Sequence, residues 1–421
     1  MARRVAVIGG GWAGLAATIE ATLQGDAVTL FEMAAQLGGR ARRVDVDGLA
    51  LDNGQHILIG AYRETLRLMR TVGVDPAQAF VRTPLRMVYP DGHGLTLPAG
   101  PPTLAFARGV IGLQAWPLRD RLALLASAAG WAWNRFRCDA RTTVAELTVH
   151  LSSAARGDLI DPLCVAALNT PSQTASASVF LRVIRDALFA GPGSADLLLP
   201  KLRLTELLPR PAAHWLERAG VPIRLSRRID QLASTASGWL VDDAPFDHVV
   251  IATSAVEAAR LVQRVDPLWA ESAGALRYEP IVTVYALSDG TALPHPMLAL
   301  HSDDGRRPAQ FVFDHGQLGG RPGLLAFVIS GAQSWVERGA DATCDATLAQ
   351  AGDALATHLR APLRAQRVLT ERRATFRCTP DLRRPPAFIA PGLVAAGDYI
   401  AGPYPATLEG AVRSGVGAVK P

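Results

Sequence analysis

Gly9, Gly11 and Gly14 follow a G-x-G-x-x-G pattern, and Glu32 lies 23 positions after Gly9. That spacing is suited to holding a dinucleotide. Gly9 permits a tight turn, Gly11 admits a pyrophosphate close to the main chain, and Gly14 lets the following helix pack against the preceding strand. Trp12 and Ala13 open that helix, whose first N–H groups face the phosphates. Glu32 can accept both hydroxyls of a ribose. The elements needed to place these residues fall in order: a buried strand over residues 5–8, an Ala-rich helix over 13–24 and a second strand, Ala-Val-Thr-Leu-Phe, over 27–31.

Further along, Leu37-Gly38-Gly39-Arg40-Ala41 places a glycine doublet and an arginine just after the acid. This run resembles the second FAD signature of the amine oxidase and phytoene desaturase superfamily. The resemblance implies backbone amides of Gly38 and Gly39 facing the flavin pyrophosphate, with Arg40 adding a charge-assisted phosphate contact. A third stretch, Ala395-Ala396-Gly397-Asp398 followed by Thr407-Leu408-Glu409-Gly410-Ala411, resembles the C-terminal signature of the same superfamily. There Gly397 and Asp398 would approach the phosphate and ribityl end. The helix opening at Thr407 and Leu408 would aim its N–H groups at the isoalloxazine, where its dipole favours the reduced anion. Three signatures in order imply FAD as cofactor. Glu409, at a helix N-terminus, is read as answering a helix dipole.

The 421 residues suffice for about two domains, and at 49% hydrophobic they can bury a sizeable core. A net charge of +5 is a mild bias with no basic run interleaved with aromatics, so nucleic-acid binding is not expected. Cys138, Cys164, Cys344 and Cys378 are scattered with no C-x-x-C spacing; neither a metal site nor a disulfide framework is expected, which fits a reducing cytoplasm. Arg3-Arg4 imitates a secretion signal, but the apolar run after it belongs to the nucleotide strand. No segment has about 18 uninterrupted apolar residues, so no membrane span is expected.

The expected fold class is α/β: a Rossmann-like FAD-binding domain, with a parallel sheet and helices, carrying an inserted α+β substrate domain. The FAD-binding domain is discontinuous, formed by residues 1–80, 196–262 and 386–421. In its middle piece residues 204–220 read as a helix, 222–225 and 247–253 as strands, and Ile229 sits where such folds use a backbone amide to hold adenine. The substrate domain takes residues 81–195 and 263–385. Its second part carries strand-like runs at 281–287, 310–313 and 324–329, expected to form a mixed sheet roofing the flavin. Its first part is helical and apolar, with Trp116, Trp131 and Trp133 in or beside uncharged stretches flanked by Arg108, Arg119, Arg121, Arg135 and Arg137. These helices over 103–134 read either as partly inserted into a membrane interface or as core helices under the sheet. A lipid substrate favours the first, placing the protein in the cytoplasm and peripherally on the inner face of the cytoplasmic membrane.

Several runs are more particular: Leu51-Asp52-Asn53-Gly54-Gln55-His56-Ile57, Pro162 to Pro171 with its Ala-Leu-Asn-Thr-Pro end, Asp196 to Pro200, and Pro405 to Gly415. In these the chain resembles the squalene-associated FAD-dependent desaturases, the hydroxysqualene dehydroxylases of bacterial hopanoid and squalene biosynthesis. The resemblance implies that hydroxysqualene, or a similar C30 isoprenoid, loses an allylic hydroxyl and gains hydride to give squalene. The protein would need a proton donor, an apolar tunnel and a tightly held flavin. With no second dinucleotide fingerprint in the sequence, an external reductant is implied. In flavin oxidases the strand equivalent to 52–56 passes beside the isoalloxazine, which makes Gln55 and His56 the first candidates at the leaving hydroxyl. His56 is the best acid by ordinary pKa; alternatively Asp52 and His56 brace the domain. Asn169 and Thr170, a polar break in an apolar segment, read either as pocket hydrogen-bonders or as a cap. Asp314-His315, at the end of a roof strand, is a further candidate.

Other classes share the FAD motifs. A carotenoid or phytoene desaturase would take an equally long substrate in the opposite redox sense. An amine oxidase places a lysine in the substrate domain, but Lys201 and Lys420 are the only lysines and lie outside the roof. It also places a tyrosine where Thr407 stands. A non-catalytic flavoprotein that carries isoprenoid lipid is a third reading.

Overall fold

A computed structural model describes residues 2–46, 48–303 and 305–420. Its first strand, Arg4–Ile8, runs into the helix Trp12–Leu23, nine of whose residues are buried. The intervening turn requires glycine. Gly9 has φ +109°, and a Cβ on Gly14 would lie 1.8 Å from the Gly9 carbonyl oxygen, so the helix meets the strand end with no room for a side chain.

Six strands form the sheet beneath this turn, in the order Ile223–Arg224, Ala27–Phe31, Arg4–Ile8, His248–Ile251, Leu393–Ala395, Phe388–Ala390. The first five pair in parallel; the last two form an antiparallel hairpin. The expected strands at 222–225 and 247–253 are shorter than their apolar runs. The expected helix over 204–220 divides into Leu204–Leu207 and Pro209–Arg218, with Leu208 at φ −146° between them. Pro209 explains the break: a proline disfavours helical backbone at the residue before it.

The second sheet has five strands in the order Met297–Ala299, Phe311–Asp314, Leu324–Ile329, Tyr278–Leu287, Arg364–Phe376. Every pairing is antiparallel, so the mixed sheet expected from sequence is corrected. Short hairpin connections and the return of a long final strand leave no parallel crossover. Alternation separates its two faces. Val282, Val284 and Ala286 pack with Trp335, Ala351 and Leu355 of the outer helices. Tyr285, Leu287, Phe311 and Phe313 face inward into a core shared with the helical insertion.

That insertion carries the helices Pro102–Ile111, Leu118–Trp133, Asp161–Leu168 and Ala177–Phe189. Leu118–Trp133 has its polarity reversed. Asp120 and Ser127 are buried with Leu124, while Leu118, Leu122 and Trp133 are exposed; Trp133 is 88% exposed. Leu104 and Ile111 on the preceding helix are exposed as well.

Candidate functional site

The three sequence signatures converge on one edge of the parallel sheet. Gly11 and Gly38 form an isolated parallel bridge, and the Gly38 amide donates to the Gly10 carbonyl at 2.8 Å. The Trp12 indole donates to the Ala41 carbonyl at 3.1 Å, tying the first signature to the second. The Glu32 carboxylate is buried and accepts from the Gly10 amide at 2.6 Å and the Ala34 amide at 2.7 Å. The second and third signatures join through Arg40, whose Nη2 donates to both oxygens of Asp398 at 2.7 Å. Its Nη1 is taken by the carbonyls of Arg373 and Ala374 at the end of the roof. Arg40, the candidate phosphate contact, and Asp398, the candidate ribityl neighbour, are thus held against each other.

Whether these residues fit a dinucleotide is tested at Gly11. Around Gly9 and Gly14 a Cβ would collide with backbone, so the fold itself demands glycine. A Cβ on Gly11 would meet only the Gly39 Cα, at 3.9 Å. The fold does not require glycine there, and the missing side chain leaves an open cradle at the N-terminus of Trp12–Leu23. Such a cradle suits an anionic group. Thr407 caps Leu408–Ala418 by accepting from the Gly410 amide at 3.0 Å, and the Tyr62 hydroxyl meets the Thr407 side chain. Glu409 answers a helix dipole, but that of Arg63–Thr71: it accepts from the Glu64 and Thr65 amides at 3.1 and 2.9 Å. Ile229 is buried, and its carbonyl is held by Arg260.

The run 52–56 is not one strand. The strand Leu49–Asp52 ends at Asp52, and Gly54, at φ +86°, turns the chain into an irregular stretch before Leu58–Ile59. Asp52 is a brace. Its carboxylate caps the Leu204 amide at 2.9 Å, and its carbonyl accepts the Tyr285 hydroxyl at 3.1 Å. Burial raises its pKa to about 6, against the Leu204 amide and Arg203. Asn53 holds the loop from its other side, donating to Glu371 and the Arg40 carbonyl, each at 3.0 Å.

Gln55 and His56 are half-buried in this loop. Among the described residues the Gln55 amide has no hydrogen-bond partner. Burial first, and then the Arg40 charge, lower the pKa of His56 to about 4, partly offset by a bond to the Asn53 backbone. The expectation that His56 is a ready acid from its ordinary pKa is therefore corrected: at neutral pH the ring is uncharged.

The remaining candidates lie elsewhere in function. Asn169 ends Asp161–Leu168 in the left-handed conformation, φ +49°. Its amide donates to the Glu279 carbonyl at 3.1 Å and Thr375 Oγ1 at 2.9 Å, and it accepts from the Gly331 amide at 2.7 Å. Thr170 similarly accepts from the Cys378 amide. Both tie the helical insertion to the roof, and Asn169 stands at the C-terminal cap of its helix. Asp314 organises a turn, accepting from the amides of Leu293 and Gly316, each at 2.9 Å, and from Gln317. Its neighbour His315 is buried against Tyr285, ring centroids 5.6 Å apart, with Nε2 unpartnered among the described residues.

Sequence reading did not single out Thr283, Tyr285 or Tyr399. Thr283 Oγ1 and the Tyr399 hydroxyl are buried without a hydrogen-bond partner among the described residues. The signal for the first two was present: Thr283 and Tyr285 are polar positions two apart in the apolar run Ile281 to Leu287.

The family pattern described as "Flavin containing amine oxidoreductase" matches residues 12–420. The chain belongs to that family. Two relatives are hydroxysqualene dehydroxylases. One, from Sinorhizobium fredii, is 26% identical across 99% of this chain and 97% of its own length. The other, from Rhodopseudomonas palustris, is 28% identical across 99% and 97%. Among solved structures, an oxidoreductase from Methanosarcina mazei superposes with a TM-score of 0.72 at 17% identity, covering 99% of each chain. That likeness shows that the two chains share one fold.

Proposed function

We propose that this chain removes the allylic hydroxyl of hydroxysqualene, or a similar C30 isoprenoid alcohol, reductively to give squalene, with FAD as its dinucleotide. One observation carries the reading: the Thr283 hydroxyl is buried without a hydrogen-bond partner among the described residues, over Gly54 in the loop that carries Gln55. A polyene offers such a group nothing to bond, whereas an alcohol does. The relatives named hydroxysqualene dehydroxylase support the same substrate class over nearly the full chain. The zeta-carotene desaturase of Zea mays, which would favour a desaturase, matches only 17% of the chain.

In the overall change the allylic C–O bond breaks, the oxygen leaves with a proton as water, and hydride saturates the carbon. Bound reduced FAD supplies the hydride, and an external reductant restores it. The cradle at Gly9, Gly11, Gly38 and Gly39 holds the pyrophosphate, Glu32 the ribose and Ile229 the adenine. Arg40 and Asp398 lock the loops around that cradle, and the Thr407 helix faces the flavin ring. Gln55 orients the hydroxyl. His56, neutral at pH 7, hydrogen-bonds beside it; an anion in contact with the ring would oppose its low pKa and favour proton donation. Phe311, Phe313 and Leu287 keep water from the polyene chain.

No helix among the described residues is long and apolar enough to cross a membrane. The reversed polarity of Leu118–Trp133 instead suits a surface contact with lipid, through Leu118, Leu122 and Trp133 between the exposed Arg119 and Arg135. Loss of vesicle flotation in Leu118→Asp/Leu122→Asp would support this contact; unchanged flotation would refute it. The reaction itself is tested by incubating purified protein, reduced FAD and hydroxysqualene and assaying squalene by mass spectrometry. Turnover of a polyene with none of the alcohol would overturn the reading.

A further inference from the structure

The inward-facing residues Ile281, Thr283, Tyr285 and Leu287 of the strand Tyr278–Leu287 run over the loop at Gly54. Tyr285 grips that loop through the Asp52 carbonyl at 3.1 Å. Two residues back on the same face of the strand stands Thr283, as Gly54 stands two residues beyond Asp52. Thr283 accordingly stands over Gly54, in the loop that carries Gln55. The local geometry agrees: the single heavy atom within 4 Å of a Cβ built on Gly54 is Thr283 Oγ1, at 4.0 Å. Thr283 is 1% exposed, and its hydroxyl has no partner among the described residues.

A buried hydroxyl without a partner carries a desolvation cost that the isosteric valine would avoid. Valine has the shape of threonine and suits a strand, so the substitution keeps the local geometry. Nothing in the sheet uses the Thr283 hydroxyl. Tyr285 and Asn53, by contrast, have their polar atoms bonded to the fold.

We infer that the Thr283 hydroxyl, together with the unpartnered amide of Gln55 in the loop beneath it, forms a hydroxyl-recognition site that selects an isoprenoid alcohol over the corresponding hydrocarbon. This inference rests on the dehydroxylation reading and deepens it. A site built to bond a hydroxyl discriminates against the analogue lacking it, because its own buried groups are then left unpaired. The same asymmetry favours turnover: once the hydroxyl has left as water, the hydrocarbon product no longer satisfies Thr283 and is held less tightly than the substrate.

The test uses the oxidised flavoprotein, which cannot turn over, titrated with hydroxysqualene and with squalene and read by perturbation of the flavin spectrum. The wild type is expected to bind the alcohol about tenfold tighter than Thr283→Val does, the worth of one buried hydrogen bond. Squalene should bind both equally, and Thr283→Ser should retain most of the alcohol preference. Thr283→Val, which removes an unpaired group, should melt no lower than wild type. Equal alcohol affinity in wild type and Thr283→Val would overturn the inference. So would a changed free-flavoprotein spectrum in Thr283→Val with unaltered alcohol binding, which would assign the hydroxyl to the cofactor. A wild type that prefers the alcohol yet yields no squalene when reduced would leave the recognition site standing and sink the dehydroxylation reading. Squalene formation with no alcohol preference would do the reverse.

Discussion

Two buried polar regions touch the same roof strand, Tyr278–Leu287, and they behave in opposite ways. At one end Asn169 has its amide bonded to Glu279, Thr375 and Gly331. At the middle Thr283 has a hydroxyl bonded to nothing among the described residues. In sequence both are polar interruptions of apolar runs. Their partners distinguish them: a saturated group holds the fold together, and an unsaturated one is available to a guest. Burial alone would rank them equally.

The largest stability effect is expected at the saturated end. Asn169→Ala leaves the Gly331 amide and the Glu279 carbonyl without their partner and places alanine in a left-handed conformation. It should lower unfolding stability by about 3 kcal/mol in chemical denaturation. At Thr283 the valine variant should lose no stability and should gain about 1 kcal/mol, because no bond is lost and an unpaired buried hydroxyl is removed. Equal losses at the two positions would dissolve the distinction.

A smaller effect is expected where the cofactor signatures meet. Arg40→Gln breaks the pair with Asp398, in which the guanidinium is 40% exposed, so the stability loss should be only about 1 kcal/mol. Its clearer readout is His56. Removing the positive charge should raise the ring's pKa from about 4 toward the ordinary 6.5, as followed by NMR titration. Because the folded-state value lies below the unfolded one, the stability His56 contributes is complete above about 6.5 and is lost as pH falls toward 4. Arg40→Gln should shrink that acid-side loss. An unmoved His56 would show that burial alone sets its pKa.

What the sequence displayed was whatever depends on neighbours along the chain. The glycine turn, the strand Ala27–Phe31 and the strand Leu324–Ile329 stand where apolar runs and glycine spacing place them. The expected helix over 204–220 breaks for a local reason, since Pro209 disfavours helical backbone at Leu208. The site was legible only in part because its groups are assembled across the chain. Arg40 meets Asp398 over a separation of 358 residues, and Asn169 meets Thr375 over 206. Nothing in the Asn169 neighbourhood of the sequence reveals that the distant backbone groups of Glu279 and Gly331 already occupy its side chain. Likewise the shift of His56 comes from the enclosure and from Arg40, not from its neighbours alone.

The central claim is that a C30 alcohol is reduced at this flavin. The most direct measurement is a single turnover without oxygen: the flavoprotein is reduced, excess reductant is removed, and hydroxysqualene is added. The account predicts that the oxidised flavin spectrum returns with one squalene formed per flavin reoxidised. Flavin that stays reduced in the presence of hydroxysqualene, with no squalene formed, would contradict it.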